Sequence, residues 1–509
     1  MKKLMLILVL GLFTLNSFSN PIISADTLRI DGKLVLWLRA NHYENGFNYG
    51  YLLGERIMDM FENYMIGNTF GGAASYNIAR QIFDDKFIVD DKYVEIAQGM
   101  IEGIDAAGIS LFSPTLNDYL NYKDVLIANS VPDFTAFSEA WNDKGPGCSD
   151  MASWGDATLN DPGLSGETVI CRNLDWDNDP LLIESALIII WAPGGPDEQK
   201  WVSFGFTGLI GALSGFNESG ITTFQNMGNY YSIPVGGSFY PVNLAQRNGL
   251  EMEDYNGDGI CSPRDVTDAV RAHNVASTYI INTAGPAYFD PPAEVLEIHN
   301  SLGDTIRTVS QNPEYFGDNL VSTNHFRLLK PPTYCYRYKR ISDSLETSNQ
   351  MSVIRNWNVM KTAGVSTNLQ TIQYIPSQHI LRFSFAEIGT PAYLIEPTEV
   401  FTDNLFSLVG IEGKKNNEGI KVSINPNPCG NQTRVFIESP DPVNLNCSIS
   451  DINGRTLQDF GKLYLTDKNI DLEWFTGQVP SGIYFFYIEY PDPITKNTNH
   501  IVKKIVVSR

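Results

Sequence analysis

The sequence predicts an α+β protein in three parts, and three changes of texture along its 509 residues carry that reading. Between Ala25 and Gly147, GFNYGYLLGERIMDMFENYM and KYVEIAQGMIEGIDAAG space their apolar residues three and four apart, the mark of amphipathic helices. From Cys148 to about Glu396 the pattern shortens to alternating or continuous apolar runs broken by Gly, Asn and Pro. Beyond a polar stretch, a third region is again strand-like and punctuated by turns.

The leading segment, residues 20–147, is therefore expected to be mainly helical. The second part, residues 148–408, reads as strands in DMASWGDATL, ETVICRNLDW, SALIIIWAP, KWVSFGFTG, GITTFQNMG and AYLIEP. Helical patches are expected around Pro263 to Ala276 and Tyr336 to Met360. Layered sheets and helices follow from that alternation. GIEGKKNNEG, inside residues 409–421, reads as a linker. Residues 422–509 hold VSINPNPCGNQTRVFIES, NCSISDINGRTL, SGIYFFYIEY and IVKKIVV, the pattern of a small β-sandwich.

Composition excludes several classes. An apolar fraction of 43 %, with 27 Phe and 24 Tyr, is enough for folded cores and rules out a disordered chain. The formal charge of −22 argues against binding a phosphate backbone, which needs clustered Lys and Arg. Lys2 and Lys3, an apolar run from Leu4 to Leu15 and small polar residues from Ser17 to Asn20 make residues 1–19 a secretory signal peptide. No later stretch has the ~20 apolar residues of a spanning helix, so a transmembrane segment is not expected in the mature chain. Six cysteines are too few for a disulfide framework and show no CxxC pair; one or two bridges are compatible with them, with Cys429 and Cys447 the nearest pair.

Cys148 stands where a flexible Gly145-Pro146-Gly147 stretch becomes a strand. Two strands, one from Cys148 and one ending at Trp176, would form a hairpin that brings Arg172 and Asp175 near its start. A cation beside a thiol favours thiolate. A papain-like pairing of Cys148 with His325 is a different active reading. A buried structural cysteine and an ordinary Arg172–Asp175 ion pair are the bland ones.

GCSDMASWGDA followed by RNLDW resembles the nucleophile hairpin of the N-terminal-nucleophile (Ntn) hydrolases, particularly the cysteine acyl-coenzyme A:6-aminopenicillanate acyltransferase family. Acid ceramidase and the bile-salt and penicillin V amidases are more distant relatives of that family. GYLLGER at Gly50 to Arg56, GFNESGI at Gly215 to Ile221 with Asn226 after it, STNHF at Ser322 to Phe326, and Arg337 follow in the same order. The resemblance implies a four-layer αββα sandwich and a precursor that cuts itself between Gly147 and Cys148, as a zymogen does. The freed α-amine of Cys148, with a reference pKa of about 7.7 to 8.0, would serve as base for its own thiol. By the same resemblance Asn324 and Asn226 are the oxyanion donors, Arg172 and Asp175 hold the thiol and amine, and Arg337 supports the site, with Arg340 close in sequence. The implied reaction is hydrolysis of a linear amide in a small molecule through a thioester on Cys148. Transfer of the acyl group to an amine uses the same residues, and a non-catalytic secreted binding protein is the rival outside the enzyme class. The aromatics Tyr230, Tyr231, Phe239 and Tyr240 are candidates to line an acyl pocket.

The tail resembles the C-terminal sorting domain of proteins exported by the type IX secretion system of certain Gram-negative bacteria. The matching pieces are Asn425-Pro426-Asn427-Pro428, Asp451-Ile452-Asn453-Gly454-Arg455, Ser481-Gly482-Ile483-Tyr484 and KKIVV. The resemblance implies the secretion machinery as a partner, export through the periplasm to the surface or the medium, and removal of the tail.

One further motif stands inside the second part. DYNGDGICSPRD spaces Asp254, Asn256, Asp258, the Ile260 carbonyl and Asp265 as ligands of a single EF-hand-type calcium loop, with Gly259 at the sharp turn. Calcium there would be structural, and no cofactor is expected for catalysis.

Overall fold

The computed structural model describes residues 24–138, 147–234, 236–408, 421–439, 443–451, 455–465, 469–491 and 498–508. The signal peptide, residues 139–146 and most of the linker lie outside the described residues. The chain divides into two compact units, residues 1–410 and 411–509.

The first unit begins with β1 (Ala25–Ile30) and β2 (Lys33–Leu38), then α1 (His42–Asp59) running into a π-helical stretch, Met60–Thr69. α2 (Ala73–Lys86) and α3 (Asp91–Ala106) follow, then a short hairpin of β3 (Phe112–Ser113) and β4 (Asp118–Tyr119), then α4 (Tyr122–Asn129). Asn41 caps α1 by accepting from the Glu44 N–H, and Asn121 with Asp124 forms a reciprocal capping box on α4. The strands β5 (Gly147–Ser153), β6 (Val169–Asp175), β7 (Ala186–Trp191), β8 (Trp201–Phe206), β9 (Ser214–Asn217) and β10 (Thr222–Met227) come next. They are followed by β11 (Thr278–Ala284), β12 (Ala293–His299), β13 (Gly303–Arg307), β14 (Asn319–Ser322), β15 (Asn368–Ile375), β16 (Ile380–Phe385) and β17 (Thr398–Phe401).

Two sheets collect these strands. One has nine, in the order β1-β2-β7-β8-β9-β10-β11-β12-β13; the other has six, in the order β14-β5-β6-β15-β16-β17. Every strand in both is antiparallel to its neighbours except β2 and β7, which run parallel. Period-two alternation divides the side chains cleanly. Val35, Ile188, Ile190 and Ile280 of the large sheet pack against Ala152, Ile170, Ile372 and Phe383 of the small one. Their neighbours Leu36, Leu187, Ile189 and Ile281 face the other way, onto Tyr49, Ile57, Ile96 and Met100 of the leading helices. On the outer face of the small sheet, Met151, Cys171 and Val321 meet Ile341, Leu345 and Trp357 from the helices Tyr336–Thr347 and Val353–Thr362. The result is helix, sheet, sheet, helix: the four-layer αββα arrangement.

The leading segment is helical as expected, yet it also gives β1 and β2 to the large sheet. KLVLWL is buried from Val35 onward on both faces, which requires a sheet interior rather than a helix stripe. The helix Val242–Glu251 is not among the expected helical patches; all ten of its residues are buried, polar ones included.

α1 and α3 pack at backbone contact. Gly46, Gly50 and Gly54 on α1 and Gly99 and Gly103 on α3 repeat every four residues and remove side chains from one stripe of each helix. A Cβ on Gly50 would stand 2.0 Å from the Met100 carbonyl oxygen, and one on Gly103 would stand 2.0 Å from that of Phe47. Neither obstacle can rotate away. Gly50→Ala is therefore expected to cost about 2 kcal/mol or more in chemical denaturation, because overpacking against backbone outweighs the ~1 kcal/mol gain in helix propensity. A net gain in stability would contradict this packing.

The second unit is a sandwich of two small sheets. β18 (Lys421–Asn425), β19 (Gln432–Glu438) and β22 (Asn469–Phe475) form one; β20 (Val443–Asp451), β21 (Thr456–Leu465), β23 (Gly482–Pro491) and β24 (Thr498–Val507) form the other. Val435, Ile437 and Trp474 from the first pack on Leu445, Ile449, Phe486 and Ile488 from the second. Cys429 and Cys447 are both buried in this core and both free, and the other four cysteines are free as well.

Candidate active site

Cys148 is the second residue of β5 and fully buried. β5 and β6 pair antiparallel with Gly147 opposite Asp175 and Asp150 opposite Arg172, so the expected hairpin is formed. Cys148, Asp150 and Ala152 share the face that looks into the gap between the sheets.

The structure gathers most of the expected residues around this thiol. Arg172 places Nη2 3.1 Å from Cys148 Sγ and donates from Nη2 to the Gln225 carbonyl at 2.6 Å and from Nη1 to the Leu213 carbonyl at 2.6 Å. The Cys148 backbone N–H donates to Asn324 Oδ1 at 2.9 Å. Arg337 joins the rest: Nη1 reaches Asp175 Oδ2 at 2.5 Å, and Nη2 donates to the same Asn324 oxygen. Asn368 holds the other oxygen of Asp175. Asp175 thus acts on Cys148 through Arg337 and Asn324.

Two expected donors point elsewhere. Asn324 Nδ2 donates to the Met227 carbonyl, which fixes the amide with its oxygen toward Cys148. Asn226 gives its Nδ2 to Asp150 Oδ2 and to Ser322 Oγ, so it lies in the same gap without facing the thiol. Arg340 lies outside the cluster, donating to the Thr362 carbonyl and lying over the Tyr336 ring. His325 is held between Asn229 and Thr333, which leaves the papain-like pairing without support.

Gly147 has a packing reason to be glycine. An added Cβ would lie 2.7 Å from Arg337 Nη1, so the guanidinium occupies the place of a side chain beside the Gly147–Cys148 bond.

An apolar cavity of about 60 Å³ has Met60, Phe61 and Tyr64 of the π-helical stretch and Trp176, Leu182 and Phe206 among its walls, while Cys148 itself is buried behind them. Met60, Tyr64, Leu182 and Phe206 belong to the same packed cluster as Cys148. None of the acyl-pocket candidates Tyr230, Tyr231, Phe239 and Tyr240 lines this cavity. Phe239 packs on Phe87 and Phe137, Tyr240 stacks on His273 and donates to Asp90, and Tyr230 lies against His299 and Lys330.

Burial pushes the Cys148 thiol up to about 11; the Arg172 and Arg337 cations oppose that rise, and Asp150 and Asp175 add to it. Asp175 is raised by burial against the pull of Arg337. Asp150, which the sequence reading passed over, is raised by burial to about 6. Its signal was its place two residues beyond Cys148 in a strand. Cys335, at the N-cap of the helix Tyr336–Thr347, is the acidic thiol of the region: burial raises it, but His325, the Tyr338 N–H, Thr323 and Arg337 bring it down to about 6.

The Asp254–Asp265 loop is formed, and its carboxylates accept backbone N–H groups. Asp265 Oδ1 accepts from the Tyr255 and Asn256 N–H groups and Oδ2 from Ser262 in a helix capping box. Asp254 and Asp258 accept N–H groups of the loop itself, Gly257 and Gly259 to Asp254 and Ile260 to Asp258. Among the described residues no group of three His, Cys, Asp or Glu side chains could hold a metal ion.

Buried acids give the first unit a pH signature. Burial raises Asp133 to about 7 even though Tyr279 and the Val242 N–H donate to it. A carboxyl raised in this way holds its proton more tightly when folded. Its contribution is complete below the unfolded value of about 4 and is lost as pH rises through the folded one. Glu198 has the opposite sign: burial raises it, but His42, the Gly194 N–H and Lys92 outweigh that and bring it to about 2. Its contribution is present above about 4 and is lost toward 2. Measured against the same protein carrying Asp133→Asn, the melting temperature of the Cys148→Ala protein is thus expected to fall between about pH 5 and about pH 7.5. A difference between the two proteins that does not change over that range would contradict the assignment of Asp133.

No family model matches the sequence, and no curated protein does. Solved structures with a similar arrangement include the Caenorhabditis elegans N-acylethanolamine-hydrolyzing acid amidase ortholog, 16% identical with a TM-score of 0.33, covering 45% of this chain and 93% of that one. Two substituted forms of the conjugated bile acid hydrolase from Clostridium perfringens are 11% and 8% identical, with TM-scores of 0.31 and 0.23. They cover 50% of this chain each, and 93% and 85% of their own. Similarities of this size leave the chemistry to be read from the site itself.

Proposed function

We propose that this chain is a self-processing cysteine hydrolase of linear amides, exported by its signal peptide and its sorting tail, with Cys148 as nucleophile. The observation that carries the reading is one residue held at both ends. Arg172 Nη2 is 3.1 Å from the Cys148 thiol, while the Cys148 nitrogen meets Asn324 at 2.9 Å, at the start of the strand that opens with Gly147. Holding the nitrogen as well as the sulfur has a use if that nitrogen becomes an amine.

In the first reaction the Cys148 thiol attacks the Gly147 carbonyl carbon, its proton passes to the departing Cys148 nitrogen, and a Gly147 thioester replaces the peptide bond. Water then hydrolyses the thioester, releasing the Gly147 carboxylate and leaving Cys148 with a free α-amine and thiol. In turnover that amine takes the thiol proton and Arg172 stabilises the thiolate. The sulfur attacks the substrate carbonyl and the amine returns the proton to the leaving nitrogen. Arg337, whose guanidinium lies beside Gly147, is a cation available to the negative charge that develops on the carbonyl oxygen. Asn324 keeps the amine in line through its oxygen. The apolar cavity takes the acyl group of the substrate, so an apolar acyl chain is the expected specificity.

Rapid-quench mass spectrometry with a series of N-acyl nitroanilides tests this. The expected result is a transient acyl adduct on the peptide that begins with Cys148, with rates that rise from acetyl to longer or aromatic acyl groups. Adding an amine acceptor separates hydrolysis from acyl transfer by the product formed. Turnover with no adduct on Cys148 would overturn the reading.

A further inference from the structure

A charged pair lies directly inward of Cys148. Asp150, on the same face of β5, is fully buried. Its Oδ2 accepts from Asn226 Nδ2 and from Ser322 Oγ at 3.0 Å. Its Oδ1 has no hydrogen-bond partner, nor does Arg172 Nε, and the two are 4.0 Å apart. That is too long for a hydrogen bond and short enough for strong electrostatic coupling in a buried gap. Nη2 of the same guanidinium is the atom that meets the Cys148 sulfur. One cation therefore faces two groups that can each become an anion.

Resting on the reading of Cys148 as nucleophile, we propose that Asp150 is a positioning residue that acts through Arg172, its charge setting how far that guanidinium stabilises the Cys148 thiolate. Asn226 and Ser322 are the groups that hold Asp150 in place for this. With Asp150 ionised, the Arg172 charge is shared and the carboxylate repels the thiolate. With Asp150 protonated, the cation serves the sulfur alone. Burial holds the carboxyl near 6, so the exchange falls in an ordinary working range. The groups facing Asp150 are Arg172 from β6, Asn226 from β10, Ser322 from β14, and Cys148 on its own strand. Arg337 acts on it from the helix Tyr336–Thr347, and Cys171 feels its charge from the outer face of the sheet.

The test is the alkylation rate of Cys148 against pH, with the modified peptide identified by mass because Cys335 also reacts. In the wild type the pH-independent rate constant for the Cys148 thiolate is expected to change near pH 6 in addition to the ionisation of the thiol itself. In Asp150→Asn that inflection disappears, and the thiol is alkylated about tenfold faster at about pH 7.5, the effect of lowering its pKa by about one unit. Ser322→Ala, a milder change, removes one donor to the carboxylate and moves the inflection upward. Profiles of both variants that overlay the wild type would overturn the proposal. Alkylation does not require turnover, so this result is separate from the acyl-adduct result on which the nucleophile reading depends.

Discussion

Replacing Cys148 by Ala is expected to leave the chain uncut and to lower amide turnover by at least about 10⁴-fold, with the fold retained. The substitution removes one buried sulfur from a cluster of Met60, Tyr64, Leu174, Leu182 and Phe206, a loss of about 1 kcal/mol by area and cavity terms together. Chemistry, by contrast, loses its only covalent step. Cys148→Ser sharpens the distinction: a hydroxyl can in principle support slow cutting, but without a thiolate the pull of Arg172 has little to act on. Incubating the three proteins side by side and weighing the intact chains checks this. If Cys148→Ala were cut at the wild-type rate, cleavage would belong to another agent and the site would need another explanation.

Arg172→Gln is the substitution expected to damage both stability and activity. The guanidinium is completely buried and supplies hydrogen bonds to two backbone carbonyls and the thiol. Removing it strands the Leu213 and Gln225 oxygens and leaves Asp150 buried without its counter-charge, a combined cost of about 3–5 kcal/mol. The effect on the chemistry follows from the Cys148 thiol, already raised by burial to about 11 and opposed chiefly by this cation. Cutting and turnover are expected to fall by about 10³-fold or more, and Arg172→Lys to recover little of this, since an ammonium cannot span the same forked set of acceptors. Melting temperature and single-turnover rate, measured on the same preparations, separate the two losses. Wild-type single-turnover rates in Arg172→Gln would remove the cation from the mechanism.

What was legible in the sequence was whatever one strand or one helix expresses on its own. CSDMAS and VICRNL stand in two seven-residue strands joined by a turn-rich stretch, so the hairpin and the approach of Arg172 to Cys148 were readable before any sheet was assembled. The helices Tyr336–Thr347 and Val353–Thr362 showed through their spacing for the same reason. What escaped depends on distant partners. β1 and β2 are strands because β7 lies beside them, and Val242–Glu251 is a helix whose polar residues find buried partners such as Ile210 and Thr223. Asn226 has the right chemistry for an oxyanion donor but spends it on Asp150, a neighbour that only the meeting of β5, β10 and β14 creates.

Glycine shows the same division. At Gly147 the residue type suggested flexibility before a cleavage point, whereas the structure gives it a contact with Arg337 that any side chain would displace. The apolar cavity draws its walls from Met60 to Tyr64 as well as from the second part of the chain. If the proposed cut at Gly147–Cys148 is made, the α1 and β2 contacts with the large sheet are expected to keep the two pieces associated.

The most direct measurement is intact mass and N-terminal sequencing of the purified wild-type protein under native and denaturing conditions. The account predicts two polypeptides that separate only on denaturation, the larger beginning with Cys148-Ser149-Asp150-Met151. A single uncut chain with full amide-hydrolysing activity would contradict it.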